Sequence, residues 1–407
     1  MIKKVRIERL KPGMFVHDFN CGWLAHPFLR NRVLLKTDSD IEKVIQHGIR
    51  ELYIDTDQGL DLDDAPTQEV VAEVIHTEMQ KLEPSTQKNG GRAVTVAEEL
   101  ENARSVLLES KDEIRILMDS VRMGMKVEVP RIEIVVEKMR ESVLRNKHAL
   151  VSLARIKNKD EYTYLHSLAV AALCISFGQH LGLEPGEIQE LGVGGLLHDI
   201  GKVKVPDRLL NKPGPLTEEE FEVMKTHVAL GCSMLEETAG IEQSSICVTR
   251  HHHERLDGTG YPEGLKGDEI SRHGQIAAIV DIYDALSSER CYKEAIPPTF
   301  ALRKLFEWSG HYLNRQLVEQ FVLHMGVYPV GTVVRLRSGI IGVVVEQGER
   351  SLLDPVVRAV FDSKRNKVVT PFEINLSSRP AGRQLDEIIG CEAPESWNLR
   401  PENYLAD

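Results

Sequence analysis

Apolar residues recur at three- and four-residue steps through the middle of the chain: Leu100, Ala103, Leu107, Ile114 and Leu117, then Ile132, Val135, Met139, Val143, Leu150 and Leu153. This period predicts amphipathic helices, and two such stripes in succession suit a packed helical hairpin or the seam of a homodimer. From about residue 155 to 327 the pattern stays helical, with loops at "LEPGE", "NKPGPLT" and "LDGTGYPEG". After "YPVG" the texture becomes β. The stretch "TVVRLRSGIIGVVVE" holds two apolar runs around a tight turn at Ser338-Gly339, and "VVRAVFDSKRNKVV" repeats the arrangement. Near the N-terminus, "TDSDIEKVIQHGIRELYID" predicts a helix and then a strand. Ser39 and Glu42 have capping-box spacing, Gly48 sits where a helix ends, and "ELYI" reads as extended. The polar stretch "EPSTQKNGGR" carries no apolar period and reads as a linker.

These shifts divide the chain into a small α+β domain (1–82), a linker (83–96), connecting helices (97–154), a helical unit (155–327) and a β-rich extension (328–407). A mainly α fold is expected, and 407 residues are enough for several cores. No apolar run is long enough to span a bilayer, and the basic N-terminus "MIKKVRIERLKPGMF" has no apolar segment behind it, so no membrane partner and a cytoplasmic location are expected. The six cysteines are scattered without paired spacing and read as reduced thiols. A net charge of −12 argues against nucleic acid or an anionic membrane as partner. A phosphate-bearing ligand would need a local positive site.

Such a site is written in the histidines, seven of which fall between His166 and His253. His166 shares a helical face with Val170, Leu173 and Phe177, so its ring points at the core. His198 and Asp199 end an apolar helix, and His227 lies well inside a helix opened by a Thr217/Glu220 capping box. Asp281 sits in the apolar run "QIAAIVDIYDAL", one turn before Asp284, and a buried carboxylate needs a cation or strong hydrogen bonds. Imidazole and carboxylate donors suit first-row divalent metals, and one carboxylate can bridge two ions. Five neutral imidazoles, two aspartates and a hydroxide would leave two dications with a net charge of about +1, matched to a phosphodiester.

The blocks "HS" at 166, "HDIGKVKVPDRLLNKPGPLTEEE" at 198–220, "MKTH" at 224–227, "HHERLDGTGYPEGLKGDEI" at 252–270 and "VDIYDALSSERCYK" at 280–293 resemble the HD-GYP family, bacterial cyclic di-GMP phosphodiesterases of the HD superfamily. The resemblance covers roughly residues 155–327. It implies an HD-superfamily helical catalytic core and a metal set of His166, His198, Asp199, His227, His252, His253 and Asp281. Of the three consecutive histidines, His251 is the extra one, a supporting or surface imidazole. Three-metal members have a glutamate one turn before the first histidine. Tyr162 stands there in this chain, and Glu161 lies about 140° around the helix. Two divalent ions are therefore expected, iron first, with manganese or another first-row metal open. The motif Gly260-Tyr261-Pro262 is tied by the resemblance to contacts with diguanylate cyclase (GGDEF) domains. The first domain resembles one of unassigned function often found ahead of this catalytic domain.

The same resemblance places Lys202 beside the metals as a catalytic and phosphate-binding group. It makes Arg290 and Lys293 phosphate contacts, although Cys291 stands where the family usually has proline. Asp284 is read as orienting a metal ligand or bonding a guanine edge. Water activated between the ions would attack phosphorus in line with the leaving 3′-oxygen, opening cyclic di-GMP to pGpG, and a second cut would give GMP. Two rival readings stand beside this one: an HD-type nucleotidase with another nucleotide substrate, and a non-catalytic cyclic di-GMP effector or scaffold.

Overall fold

The computed structural model describes residues 1–21, 32–82, 94–154, 162–212, 214, 216–288, 295–348, 351–378 and 386–406, with Tyr162 and Thr163 described by backbone alone. The N-terminal unit holds β1 (Ile2–Arg6), β2 (Phe15–Asp18), β3 (Val33–Leu34), α1 (Asp38–Gln46), β4 (Glu51–Asp55) and α2 (Gln68–Gln80). Its strands pair antiparallel in the order β1-β4-β2-β3 over a small core of Val5, Val16, Leu35, Val44, Leu52 and Ile54.

The capping box of α1 differs from the sequence expectation. Thr37, not Ser39, is the cap: its hydroxyl accepts from the Asp40 amide, while the Asp40 carboxylate accepts from the Thr37 amide at 3.0 Å. Thr37 is extended, so the helix begins two residues earlier and Ser39 falls inside its first turn. Gly48 ends the element with φ of 70°, and "ELYI" is β4, both as read from sequence.

The helical body runs through α3 (Val96–Arg122), α4 (Val129–Arg145), α5 (Ala149–Ala154), α6 (Tyr162–His180), α7 (Pro185–Leu197), α8 (Asp207–Leu210), α9 (Glu218–Glu236), α10 (Gln243–His251), α11 (Arg272–Ser287), α12 (Pro298–Trp308) and α13 (Arg315–Met325). Thr95 and Glu98 form a capping box, so the helix starts inside the span assigned to the linker. The second apolar stripe is two helices. The chain breaks at Asn146, whose side-chain oxygen accepts from the amides of His148 and Ala149 and whose amide donates to Val94 O. Leu150 and Leu153 therefore lie on α5. Buried Glu99 ties α3 to α4 by accepting from Ser142 Oγ at 2.7 Å and Arg145 Nε at 2.7 Å.

α6 and α11 are apolar on nearly every face, as central helices must be, and the other helices pack around them in one continuous core. That core includes Met139, Val143 and Leu150 of the connecting helices and reaches Val343 of the last sheet. The C-terminal strands β5 (Val333–Leu336), β6 (Ile340–Glu346), β7 (Val356–Asp362), β8 (Lys367–Asn375) and β9 (Ile388–Cys391) pair antiparallel in the order β8-β7-β6-β5-β9. Gly339 turns between β5 and β6 with φ of 94°. Among the described residues no helix is long and apolar enough to cross a membrane, and Cys21, Cys174, Cys232, Cys247 and Cys391 are free thiols.

One glycine sets how closely the end of α7 approaches α9. After α7 the chain makes a short 3-10 turn at Ile200–Lys204 that lies directly on α9. A Cβ at Gly201 would fall 1.9 Å from His227 O and 2.6 Å from Gly231 N. Gly201→Ala should force the two backbones apart and cost about 1–3 kcal/mol. Gly186→Ala, where a Cβ meets nothing within 4 Å, should leave stability near that of the parent. Thermal unfolding of the two variants checks the contrast.

Candidate metal centre

Five helices bring the seven predicted donors to one point. His166 projects from α6, His198 caps the end of α7, Asp199 follows it, His227 projects from α9, His252 and His253 follow α10, and Asp281 projects from α11. His166 Nε2 lies 3.0 Å from Asp281 Oδ1 and 3.7 Å from Asp199 Oδ2, and His198 Nε2 lies 3.2 Å from Asp199 Oδ2. His227 Nε2 is 3.3 Å and His252 Nε2 3.9 Å from the other oxygen, Asp199 Oδ1. Six of the seven donors thus form two groups that share Asp199, and Asp281 stands beside His166. One is His166, His198 and Asp199; the other is Asp199, His227, His252 and His253.

The outer nitrogens decide which way the lone pairs face. His166 Nδ1 meets Asp284 Oδ2 at 2.6 Å, His198 Nδ1 meets Gly195 O at 2.8 Å, His227 Nδ1 meets Met224 O at 2.7 Å and His252 Nδ1 meets Thr249 O at 2.8 Å. Carbonyl and carboxylate oxygens only accept, so each Nδ1 carries the proton and each Nε2 turns a lone pair inward. That is the tautomer a metal-binding imidazole needs, held by the supporting hydrogen bonds typical of such sites. At the centre, His198 Nε2, Asp199 Oδ1, His227 Nε2 and His252 Nε2 are buried without a hydrogen-bond partner. Four orphaned acceptors converging in a core fit divalent cations and fit little else.

Burial pushes the His227 imidazole down to about 4 and His252 down to about 3, and holds His253 well below its ordinary value. For His198, burial is outweighed by the adjacent Asp199 carboxylate, and the pKa rises. Burial also opposes ionisation of Asp199 and Asp281. For Asp199 the imidazole of His198 and the ammonium of Lys202 overcome it, and for Asp281 the imidazole of His166 does, so both stay well below the usual carboxylate range. Lys202 Nζ donates to Asp199 Oδ2 at 2.5 Å and keeps about a quarter of its side chain exposed.

Asp284 is fully buried behind His166, and its second oxygen accepts from Ser288 Oγ at 3.2 Å. This position suits orienting His166 rather than gripping a nucleotide base. His251 faces the other way: its Nδ1 accepts from the Ser271 amide at 3.3 Å and meets the Ser271 hydroxyl at 2.9 Å. It ties the end of α10 to the cap of α11, the helix that carries Asp281. His180 and His324 lie together elsewhere, packed around Phe177. Arg290, Lys293, Cys291 and Glu161 lie outside the described residues, as does the Tyr162 side chain.

Sequence reasoning named Glu254 and Tyr261 only as parts of motifs. The Glu254 carboxylate accepts from the amides of Glu263 at 2.8 Å, Gly264 at 3.2 Å and Leu265 at 3.0 Å, which pins the loop carrying Gly260-Tyr261-Pro262. Tyr261 lays its ring on His253 with centroids 4.6 Å apart and a tilt of 31°, and the His252 ring centroid lies 4.0 Å from that of His253. No periodic signal marks either contact.

Two family models match: a domain of unknown function (DUF3391) over residues 2–132 and an HD domain over residues 139–317. The chain is 40% identical over 403 residues to a cyclic di-GMP phosphodiesterase of Pseudomonas aeruginosa, covering 98% of this chain and 94% of that protein. This chain belongs to the HD-GYP family. Two other relatives align over less than half of this chain. A cyclic di-GMP phosphodiesterase of Thermotoga maritima is 39% identical over 165 residues, 40% of this chain and 45% of its own. A 3′3′-cGAMP-specific phosphodiesterase of Vibrio cholerae is 33% identical over 181 residues, 44% of this chain and 35% of its own.

The geometry makes the three consecutive histidines separable. His251→Ala should keep the metal content of the parent protein, whereas His252→Ala and His253→Ala should each lose metal, as read by elemental analysis per chain. The protonation states set a pH dependence for the metal-free protein. His227, His252 and His253 take protons more readily when unfolded, so their stabilisation is lost as pH falls from about 6.5 toward 4. His198, with its pKa raised, contributes in the opposite sense, stabilising at acid pH and losing that contribution as pH rises through its folded value. Three groups against one predict a Tm that falls on acidification through this window. A flat or rising Tm would contradict the assignment of the protons.

Proposed function

We propose that this HD-GYP protein is a metal-dependent phosphodiesterase that hydrolyses one diester of cyclic di-GMP to give linear pGpG, and that the same centre cuts pGpG on to GMP. The observation that carries this reading is the convergence of inward-facing Nε2 lone pairs and two ionised carboxylates on one buried point. The two donor groups joined through Asp199 support a count of two ions, with iron first and manganese or another first-row metal as alternatives. Bound divalent ions would supply the Lewis acidity that makes water nucleophilic at neutral pH and polarises phosphoryl oxygens.

The chain's own groups do the rest. Asp199 stays ionised and offers one oxygen to each donor group, while Asp284 keeps the His166 proton on the outer nitrogen. Lys202, partly exposed at the edge of the cluster and paired to Asp199, is the cation available to a phosphoryl oxygen or to the departing 3′-oxygen. Local cations of this kind let an acidic protein accept an anionic substrate. Arg290 and Lys293 are proposed as further phosphate contacts. A diguanylate cyclase domain docking on the Gly260-Tyr261-Pro262 loop would meet Pro262 and Glu263, which are exposed, because Tyr261 is turned inward. A cytoplasmic location accords with the free thiols.

A second cyclic dinucleotide substrate is favoured by one observation, the kinship with a 3′3′-cGAMP-specific enzyme. Metal-loaded protein should be offered cyclic di-GMP, 3′3′-cGAMP, pGpG and mononucleotides, with products separated by chromatography. Cyclic di-GMP should turn over fastest. Asp199→Ala should abolish turnover, and Lys202→Met should lower kcat by about 10²-fold while metal content holds. Metal-loaded protein that binds cyclic di-GMP and cleaves none of the panel would leave only the effector reading.

A further inference from the structure

The N-terminal domain of unknown function is seated on the catalytic helices by buried polar contacts. The Glu307 carboxylate of α12 accepts from Tyr53 OH at 2.7 Å and Asn20 Nδ2 at 3.1 Å and pairs with Lys4 Nζ at 2.8 Å. Asn20 in turn accepts from Trp308 Nε1 at 3.1 Å and Lys304 Nζ at 2.9 Å. Such a network, buried and satisfied from both sides, leaves several groups unpaired if the domains part. It fixes the N-terminal domain against α12.

Beyond α12 the same domain reaches the loop that supports the metal centre. Tyr312 OH donates to Gly48 O at 3.2 Å, and Tyr312 O accepts from the Leu256 amide at 3.1 Å. Gly48 lies against Thr259 so closely that a Cβ there would fall 2.2 Å from Thr259 Cγ2. The next residue, Gly260, is pressed on the Glu254–Arg255 backbone, where a Cβ would lie 2.4 Å from Arg255 N. Tyr261 then donates its amide to His253 O at 3.2 Å and lays its ring on the His253 imidazole. A continuous run of close contacts joins Gly48 of one domain to a donor of the other.

We propose that the N-terminal domain is a positioning element for the metal centre: seated on α12, its Gly48 turn braces Thr259 and so holds Tyr261 against His253. The proposal rests on reading His253 as a metal donor. Coupling of this kind is reciprocal, so loading the centre should tighten the domain contact as much as the contact tightens metal binding.

The test uses the full chain in five forms: parent, Gly48→Ala, Thr259→Ser, the double variant and Tyr312→Phe. Readouts are amide hydrogen exchange over residues 254–266 and metal retained against a competing chelator. Gly48→Ala should speed exchange at Tyr261, Gly264 and Leu265 and weaken metal retention by about tenfold, the scale of a lost supporting contact. Adding Thr259→Ser removes Cγ2 but keeps the Oγ bond to Asp257, and should restore both. Tyr312→Phe introduces no clash and should speed exchange at Leu256 and Tyr261. A double variant as defective as Gly48→Ala would place the fault in the left-handed backbone at φ of 70° and overturn the proposal. Parent-like exchange and retention in both Gly48→Ala and Tyr312→Phe would overturn it as well. Exchange is read without metal, so a parent protein that holds no metal would sink the donor reading while the exchange data still judged the brace.

Discussion

Polar side chains aimed at one another inside an apolar core are tolerable only if something accepts their lone pairs. A buried acceptor left alone costs about 1–3 kcal/mol, and four meet here at one point. That constraint organises the molecule. The largely buried α6 and α11 hold His166 and Asp281 on rigid backbones, and a glycine lets the turn after α7 press on α9 beside His227. Four of the five imidazoles are locked from behind by an oxygen that can only accept. The fold thus uses apolar packing to hold a polar cluster in a form that divalent cations complete.

The motif loop belongs to the same device. Glu254 lies next to His253 in sequence but turns away from the cluster, and its carboxylate gathers three successive loop amides. A carboxylate fixed by three backbone donors is a rigid peg, and it holds Tyr261 over the imidazole. Gly260 is needed because any side chain there would strike the Glu254–Arg255 backbone. The glycine and tyrosine therefore pack, directly or through the loop backbone, on His253, one of the proposed metal donors.

Much of this was legible without coordinates, because ligand chemistry leaves marks in sequence. A histidine on an apolar face, a His-Asp pair at a helix end and an aspartate in an apolar run are each locally anomalous, and His166, His198, Asp199 and Asp281 stand out for that reason. Helices with strong periods were equally plain. The cap of α1 was displaced because Thr37/Asp40 and Ser39/Glu42 have the same spacing, and only the backbone angles choose between them. The break at Asn146 was hidden because the apolar steps continue across it. Glu307 gave no signal at all. It sits in an ordinary amphipathic helix, and its partners Lys4, Asn20 and Tyr53 lie more than 250 residues away.

The run of three histidines shows how one helix end can serve several purposes. Successive residues on a helix point about 100° apart, so neighbours in sequence face different partners while the helix lasts. His251 turns to Ser271 and fastens α10 to α11, and its Nδ1 accepts. His252 returns its Nδ1 proton to Thr249 O in the last turn and faces Asp199 with Nε2. Among the described residues His253, past the helix, makes neither kind of bond, and its ring packs on that of Tyr261. Of the donors it has the least support from its own helix, and it is the one that the loop, and behind the loop the N-terminal domain, is built to steady.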